Sequence, residues 1–117
     1  MDNTNFSVKH IGSLLVMYLS SSLKGVGCYV KEEAVQKHGT KYVILDFKKV
    51  ETVNSNDIEE IMDTYHALKK ANLYLCCVGE ENKHPHKMLR MMGITRLPGI
   101  EIRQGLEETV IEIAGKI

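Results

Sequence analysis

The run Lys41-Tyr-Val-Ile-Leu-Asp-Phe47 constrains the fold most, because it is almost continuously apolar and β-branched and lacks the alternation of a half-exposed strand. Such a run belongs to a strand covered on both faces, as parallel strands are. A short loop leads from it into a helix. There Ile58, Ile61, Met62, Tyr65 and Leu68 form one apolar stripe, and Glu59, Glu60, Asp63, Lys69 and Lys70 fall on the side expected to face water. Asn72 suits a left-handed helix stop, and Leu73 to Val78 is a second buried-type run. A buried strand, a helix and another buried strand together predict a right-handed parallel crossover.

The flanking segments extend this pattern. Asn5 to His10 and Leu14 to Ser20 are extended runs around Ile11-Gly12-Ser13, a connection short enough to make an antiparallel hairpin. After Gly25, Val26, Val30 and Ala34 recur at helical spacing, and Gly39 stops the helix just past His38. Pro85 suits the first turn of a short helix with Met88, Leu89 and Met92 on one face and Gly93 as its stop. Ile100 to Ile102 is long enough only for a brief strand, and Leu106, Val110 and Ile113 stripe a last helix. The order is therefore ββαβαβαβα, an α/β fold with a mixed, mostly parallel sheet of four to five strands and about four helices. No linker, repeat or low-complexity tract divides the 117 residues, so residues 1–117 are expected to form one domain.

Composition excludes several function classes. The 15 basic and 15 acidic side chains cancel, which argues against nucleic acid or an anionic membrane as partner. No apolar run approaches the roughly 20 residues of a transmembrane helix, and the start Met1-Asp-Asn-Thr-Asn lacks the basic region of a secretory signal. Three cysteines without framework spacing fit a reducing compartment, so a cytoplasmic location is expected. Cys76 and Cys77 are adjacent and would point to opposite faces of a strand; with Cys28 they are expected to be small core residues.

Motifs for metal or nucleotide chemistry are incomplete. His84-Pro-His86 offers two imidazoles without a fixed third ligand, so no metal is expected, and His10, His38 and His66 are expected at or near the surface. Gly25-Val-Gly27 completes neither phosphate-binding glycine pattern. Met88, Met91 and Met92 suit core filling or an adaptable contact surface, and Ser20-Ser-Ser22 suits a polar strand exit. No nucleophile is paired in sequence with an evident base and acid, which leaves a small enzyme as the weakest function class.

The informative loop runs from Lys48 to Asn54, beyond the carboxyl end of the buried strand, where open α/β sheets meet ligands and partners. Ser55 then stands in the first turn of a helix, at the end that welcomes negative charge. It is either a plain cap or a modification site. Asn56, with Glu59 three residues on, approximates a capping box, so the N-cap is Ser55 or Asn56.

The segment Leu45-Asp-Phe-Lys-Lys-Val-Glu-Thr-Val-Asn-Ser-Asn-Asp-Ile58, with this order of elements, resembles the STAS family, the sulfate-transporter and anti-sigma-factor-antagonist domain. The family's D-S-[ST]-G and following apolar residue lie over Asn54-Ser55-Asn56-Asp57-Ile58. A strand ending in Val78-Gly79 and a short helix closing on Met92-Gly93-Ile94 also fit, so the resemblance covers essentially the whole chain. It implies a STAS-like fold and a non-enzymatic signalling module without a cofactor. It also implies a protein partner, a serine-kinase-like anti-sigma factor that phosphorylates Ser55, and a partner-binding surface at Asn54, Ser55, Asn56, Asp57 and Glu59. Unphosphorylated, such proteins bind the anti-sigma factor; phosphorylated, they release it. A phosphate adds close to two negative charges at pH 7, which opposes a contact already carrying Glu51, Asp57, Glu59 and Glu60. Two positions depart from the pattern: Asn54 replaces its aspartate and Asp57 its glycine. A scaffold that is never phosphorylated therefore stands beside the switch, as does a sensor holding a small anion or nucleotide phosphate at the same helix start.

Overall fold

The computed structural model describes residues 6–117, so Asn5, where the first extended run begins in sequence, lies outside the described residues. The five strands are β1 (Phe6–Ile11), β2 (Leu14–Leu19), β3 (Tyr42–Asp46), β4 (Leu73–Cys76) and β5 (Ile100–Arg103). Helix α1 spans residues 26–38 in three contiguous pieces, α2 is Ser55–Ala67, α3 is His84–Met91 and α4 is Leu106–Ala114. A 3₁₀ turn, Ile94–Arg96, follows α3. The strands lie side by side in chain order; β1 runs antiparallel to β2 and every other pair is parallel. The mixed, mostly parallel sheet and the order ββαβαβαβα are those expected from the sequence.

The near-continuous apolar run becomes the central strand because both of its faces are covered. Leu45 on β3 stands between Met17 and Leu75 in register and is fully buried. On its side of the sheet, β2, β3 and β4 pack against Val30 and Ala34 of α1, Ile58 and Ile61 of α2 and Leu89 of α3. Ile44 faces the other way, into a smaller core with Leu14, Val16, Tyr74, Cys76 and Ile113, closed by α4. Three helices thus cover one face and one covers the other. Arg103 ties β5 to α4: its Nη1 donates to Glu112 at 2.6 Å and its Nη2 to Glu101 at 2.7 Å, with the guanidinium 5.5 Å from the Tyr74 ring centre. That pairing raises the Arg103 pKa and lowers that of Glu112.

Helix α1 departs from the expected regular helix. Its middle, Val30–Val35, is a π-helix. In an α-helix of 3.6 residues per turn, successive steps of four drift steadily round the axis. The wider π turn reverses that drift, and Val26, Val30 and Ala34 all reach the core with no exposed surface. Gly27 permits the close crossing of α1 over α2: a Cβ there would sit 2.6 Å from Asp63 Cβ. Gly25, with φ 89°, starts the helix from a left-handed conformation.

Several expectations need correction. Cys28 is exposed rather than in the core, because the α1 stripe turns it outward. Cys77 is half-buried and left-handed (φ 61°), which ends β4 at Cys76, two residues before the expected Val78. Met91 and Met92 are exposed, since the eight-residue α3 buries only Pro85 and Leu89 and packs Met88 at its edge. Asn72 is left-handed as expected, but so are Lys69 and Lys70, and α2 ends at Ala67.

Candidate functional site

The segment between β3 and α2 is a packed platform. Phe47, Val50 and Val53 are buried, while Lys48, Lys49, Glu51 and Thr52 face solvent. The Val50 N–H donates to the Phe47 carbonyl at 2.9 Å and the Lys48 N–H to Asp46 Oδ1 at 3.0 Å. From α3, His84 Nδ1 accepts the Val53 N–H at 3.1 Å, so the residue two before Asn54's successor is tied to a neighbouring helix. His86 Nδ1 lies 3.1 Å from the Gly79 carbonyl, so the two imidazoles of His84-Pro-His86 serve separate backbone contacts. Among the described residues, no group of three or more metal-ligating side chains converges.

The cap is Asn54, one residue before the two candidates offered by the sequence. Its Oδ1 accepts the Asp57 N–H at 2.9 Å, and Asp57 Oδ2 accepts the Asn54 N–H at 3.0 Å, which closes a reciprocal capping box. Ser55 is therefore the first helical residue. Its side chain is exposed, and among the described residues its hydroxyl has no hydrogen-bond partner. Asn56 and Glu59 are also exposed, so Asn54, Ser55, Asn56 and Glu59 share one accessible surface.

Asp57 points inward instead. It is only 4% exposed, and its Oδ1 accepts the Leu23 N–H, 3.1 Å away in the loop between β2 and α1. Glu60, expected to face water, is turned to the same loop: its Oε1 accepts the Gly27 N–H at 2.8 Å and its Oε2 the Gly25 N–H at 3.3 Å. No side chain of its own caps α1. The start of α1 is thus held by carboxylates of α2, and Ser22 and Lys24 come to line one shallow recess of about 330 Å³ with Asn54, Asn56 and Glu59. The sequence reading missed this loop. Its traces there are Gly25 and Gly27, read for phosphate chemistry, and the two acids three residues apart, which suit a shared inward face of a helix as well as a solvated one.

The chemistry available at Ser55 follows from its neighbours. No base among the described residues touches its hydroxyl, so nothing here activates it as a nucleophile. An exposed hydroxyl on a rigid helix start suits a group to be modified or contacted from outside.

No protein-family model and no curated protein sequence matches the chain. Solved structures do match. TM1081, described in its crystal structure as a candidate anti-sigma factor antagonist of Thermotoga maritima, superposes in its NMR structure with a TM-score of 0.73 and 14% identity over 100% of this chain and 94% of that one. The anti-sigma factor antagonist SpoIIAA in its unphosphorylated form matches with a TM-score of 0.68 and 13% identity over 96% and 99%. The phosphorylated form of Bacillus SpoIIAA gives 0.65 and 14% over 92% and 96%. The chain therefore has the fold of the anti-sigma factor antagonists, at an identity that speaks for fold alone.

Proposed function

We propose that this protein is an interaction module of the anti-sigma factor antagonist type, which binds a kinase-like anti-sigma factor through Ser55 and the surface around it. The observation that carries the reading is the exposed, unbonded Ser55 hydroxyl on a packed platform at the carboxyl edge of a sheet with the antagonist fold. SpoIIAA has been solved both with and without phosphate, so this fold accommodates the modification. The module is not an enzyme, needs no cofactor and works in the cytoplasm. Among the described residues, no helix is long and apolar enough to cross a membrane.

In the proposed switch, the partner transfers the terminal phosphoryl group of ATP to Ser55. The Oγ–P bond forms as the bridging P–O bond of ATP breaks, ADP leaves, and the hydroxyl proton passes to a base of the kinase. The product carries close to two added charges beside the exposed Glu51 and Glu59. Burying that dianion against a partner costs desolvation and adds like-charge repulsion, so the complex dissociates.

The departures at Asn54 and Asp57 act together. The carboxylate that the STAS pattern places at the N-cap is supplied here from three residues on, inside the same capping box. The helix start keeps its negative partner while position 54 keeps its capping oxygen. Asp57 also weakens the anion-sensor alternative, because a free anion would share that helix end with a buried carboxylate. A scaffold that is never phosphorylated uses the same surface and differs in one observable. Incubation with ATP and the cognate anti-sigma kinase, followed by mass spectrometry, should place a phosphate on Ser55. An unmodified Ser55 under conditions where the kinase phosphorylates another antagonist would remove the switch.

A further inference from the structure

We infer that Asp57 couples the state of Ser55 to the loop between β2 and α1, so that residues 20–25 form the second half of the interaction surface; this rests on the reading of Ser55 as a phosphorylation site. Asp57 uses one carboxylate oxygen for the Asn54 N–H of its own helix and the other for the Leu23 N–H, which belongs to a fully buried residue of that loop. One turn further, Glu60 holds the Gly25 and Gly27 N–H groups. Two carboxylates on consecutive turns of α2 therefore set the loop and the first turn of α1. A glycine at position 57, as in the STAS pattern, would provide no such link, so the coupling belongs to this chain's own departure from the pattern.

A phosphate on Ser55 would stand two residues from Asp57 at the same helix end. The Ser55 and Asn56 N–H groups open α2 without intrahelical acceptors and are close enough to favour it. Two anions then compete for one positive end, and the one with the larger charge prevails. Like-charge repulsion pushes Asp57 away from that end, which weakens its hold on the Leu23 N–H, and the loop carrying Ser22 and Lys24 loosens. A partner seated on the recess shared by those residues with Asn54, Asn56 and Glu59 would lose shape complementarity as well as meeting new charge.

The test uses full-length protein with phosphoserine installed at position 55 during translation, so that no kinase is needed, and reads amide hydrogen exchange at Leu23, Gly25 and Gly27 by NMR. Asp57→Gly should speed Leu23 exchange at least roughly tenfold without any modification, and phosphoserine in the native background should do likewise. Phosphoserine in the Asp57→Gly background should add nothing further at Leu23. Leu23 exchange unchanged by phosphoserine, or changed equally with and without Asp57, would overturn the coupling. If Asp57→Gly fails to fold, Asp57→Leu, which has no acceptor oxygen for the Leu23 N–H, takes its place with the same expected and contrary results. A kinase that leaves Ser55 unmodified would defeat the functional reading but leave this measurement intact.

Discussion

At Asn54 and Ser55, two adjacent polar residues have separate tasks: Asn54 satisfies the start of α2, and Ser55 has no hydrogen-bond partner among the described residues. Their substitutions should differ accordingly. Asn54→Ala removes the cap and should lower unfolding free energy by about 1 kcal/mol, whereas Ser55→Ala at an exposed first-turn position should stay within about 0.5 kcal/mol of the native protein. Urea denaturation of the two variants checks the pair. Equal losses would return the capping role to Ser55. Asp57→Ala should cost more than either, because the buried Leu23 N–H and the Asn54 N–H would both lose their acceptor, at about 1–3 kcal/mol for each group left unsatisfied. The sequence pointed one residue too far because Ser and Asn both cap well, and because a box closed by aspartate is a weaker signal than one closed by glutamate.

At the scale of elements, α1 shows both what a sequence pattern reveals and what it hides. Its buried face was legible from Val26, Val30 and Ala34, but a spacing of four does not say whether the chain drifts as an α-helix or corrects itself through a π turn. Nor did the pattern show that Gly27 is there for contact with α2. Gly27→Ala should destabilise the protein by roughly 1–3 kcal/mol, since the new methyl group would collide with Asp63 Cβ. The other end of α1 meets β1 through His10, whose Nε2 lies 2.8 Å from the Tyr29 hydroxyl and whose ring stacks on His38 at 3.9 Å. Burial first, and the nearby His38 second, lower the His10 pKa. In the unfolded chain His10 takes up a proton near its ordinary value of about 6.5, while the folded protein resists until lower pH. The unfolded state then binds more protons, so stability falls as pH drops below that value. Urea midpoints measured between pH 7 and pH 5 should decline, and His10→Gln should flatten the decline. A slope unchanged by His10→Gln would assign it to other groups.

Over the whole molecule, the sheet was readable because the central crossover strands β3 and β4 are buried on both faces and each helix is striped on one. The lone α4 on the second face could not be read, because its stripe fits either side of a sheet. Cys28 was misplaced for a related reason: small apolar character does not fix which way a residue on α1 turns. The three thiols now make a probe of the fold. Cys76 is buried and its pKa is pushed up to about 11, chiefly by desolvation, whereas Cys28 is exposed, with its pKa raised chiefly by the neighbouring Glu32. A thiol reagent at neutral pH should label Cys28 first and reach Cys76 only as the protein unfolds; early labelling of Cys76 would contradict the two-layer core. The proposed partner surface was half legible, since the exposed edge of α2 follows from sequence while the loop pinned by Asp57 and Glu60 depends on contacts more than 30 residues apart in the chain. If charge at Ser55 decides binding, as proposed, it will be seen in the affinity of Ser55→Ala and Ser55→Asp for the cognate kinase-like anti-sigma factor. Ser55→Ala should bind with near-native affinity and Ser55→Asp at least tenfold more weakly, by about 1.4 kcal/mol; equal affinity of the two variants would rule out release by charge.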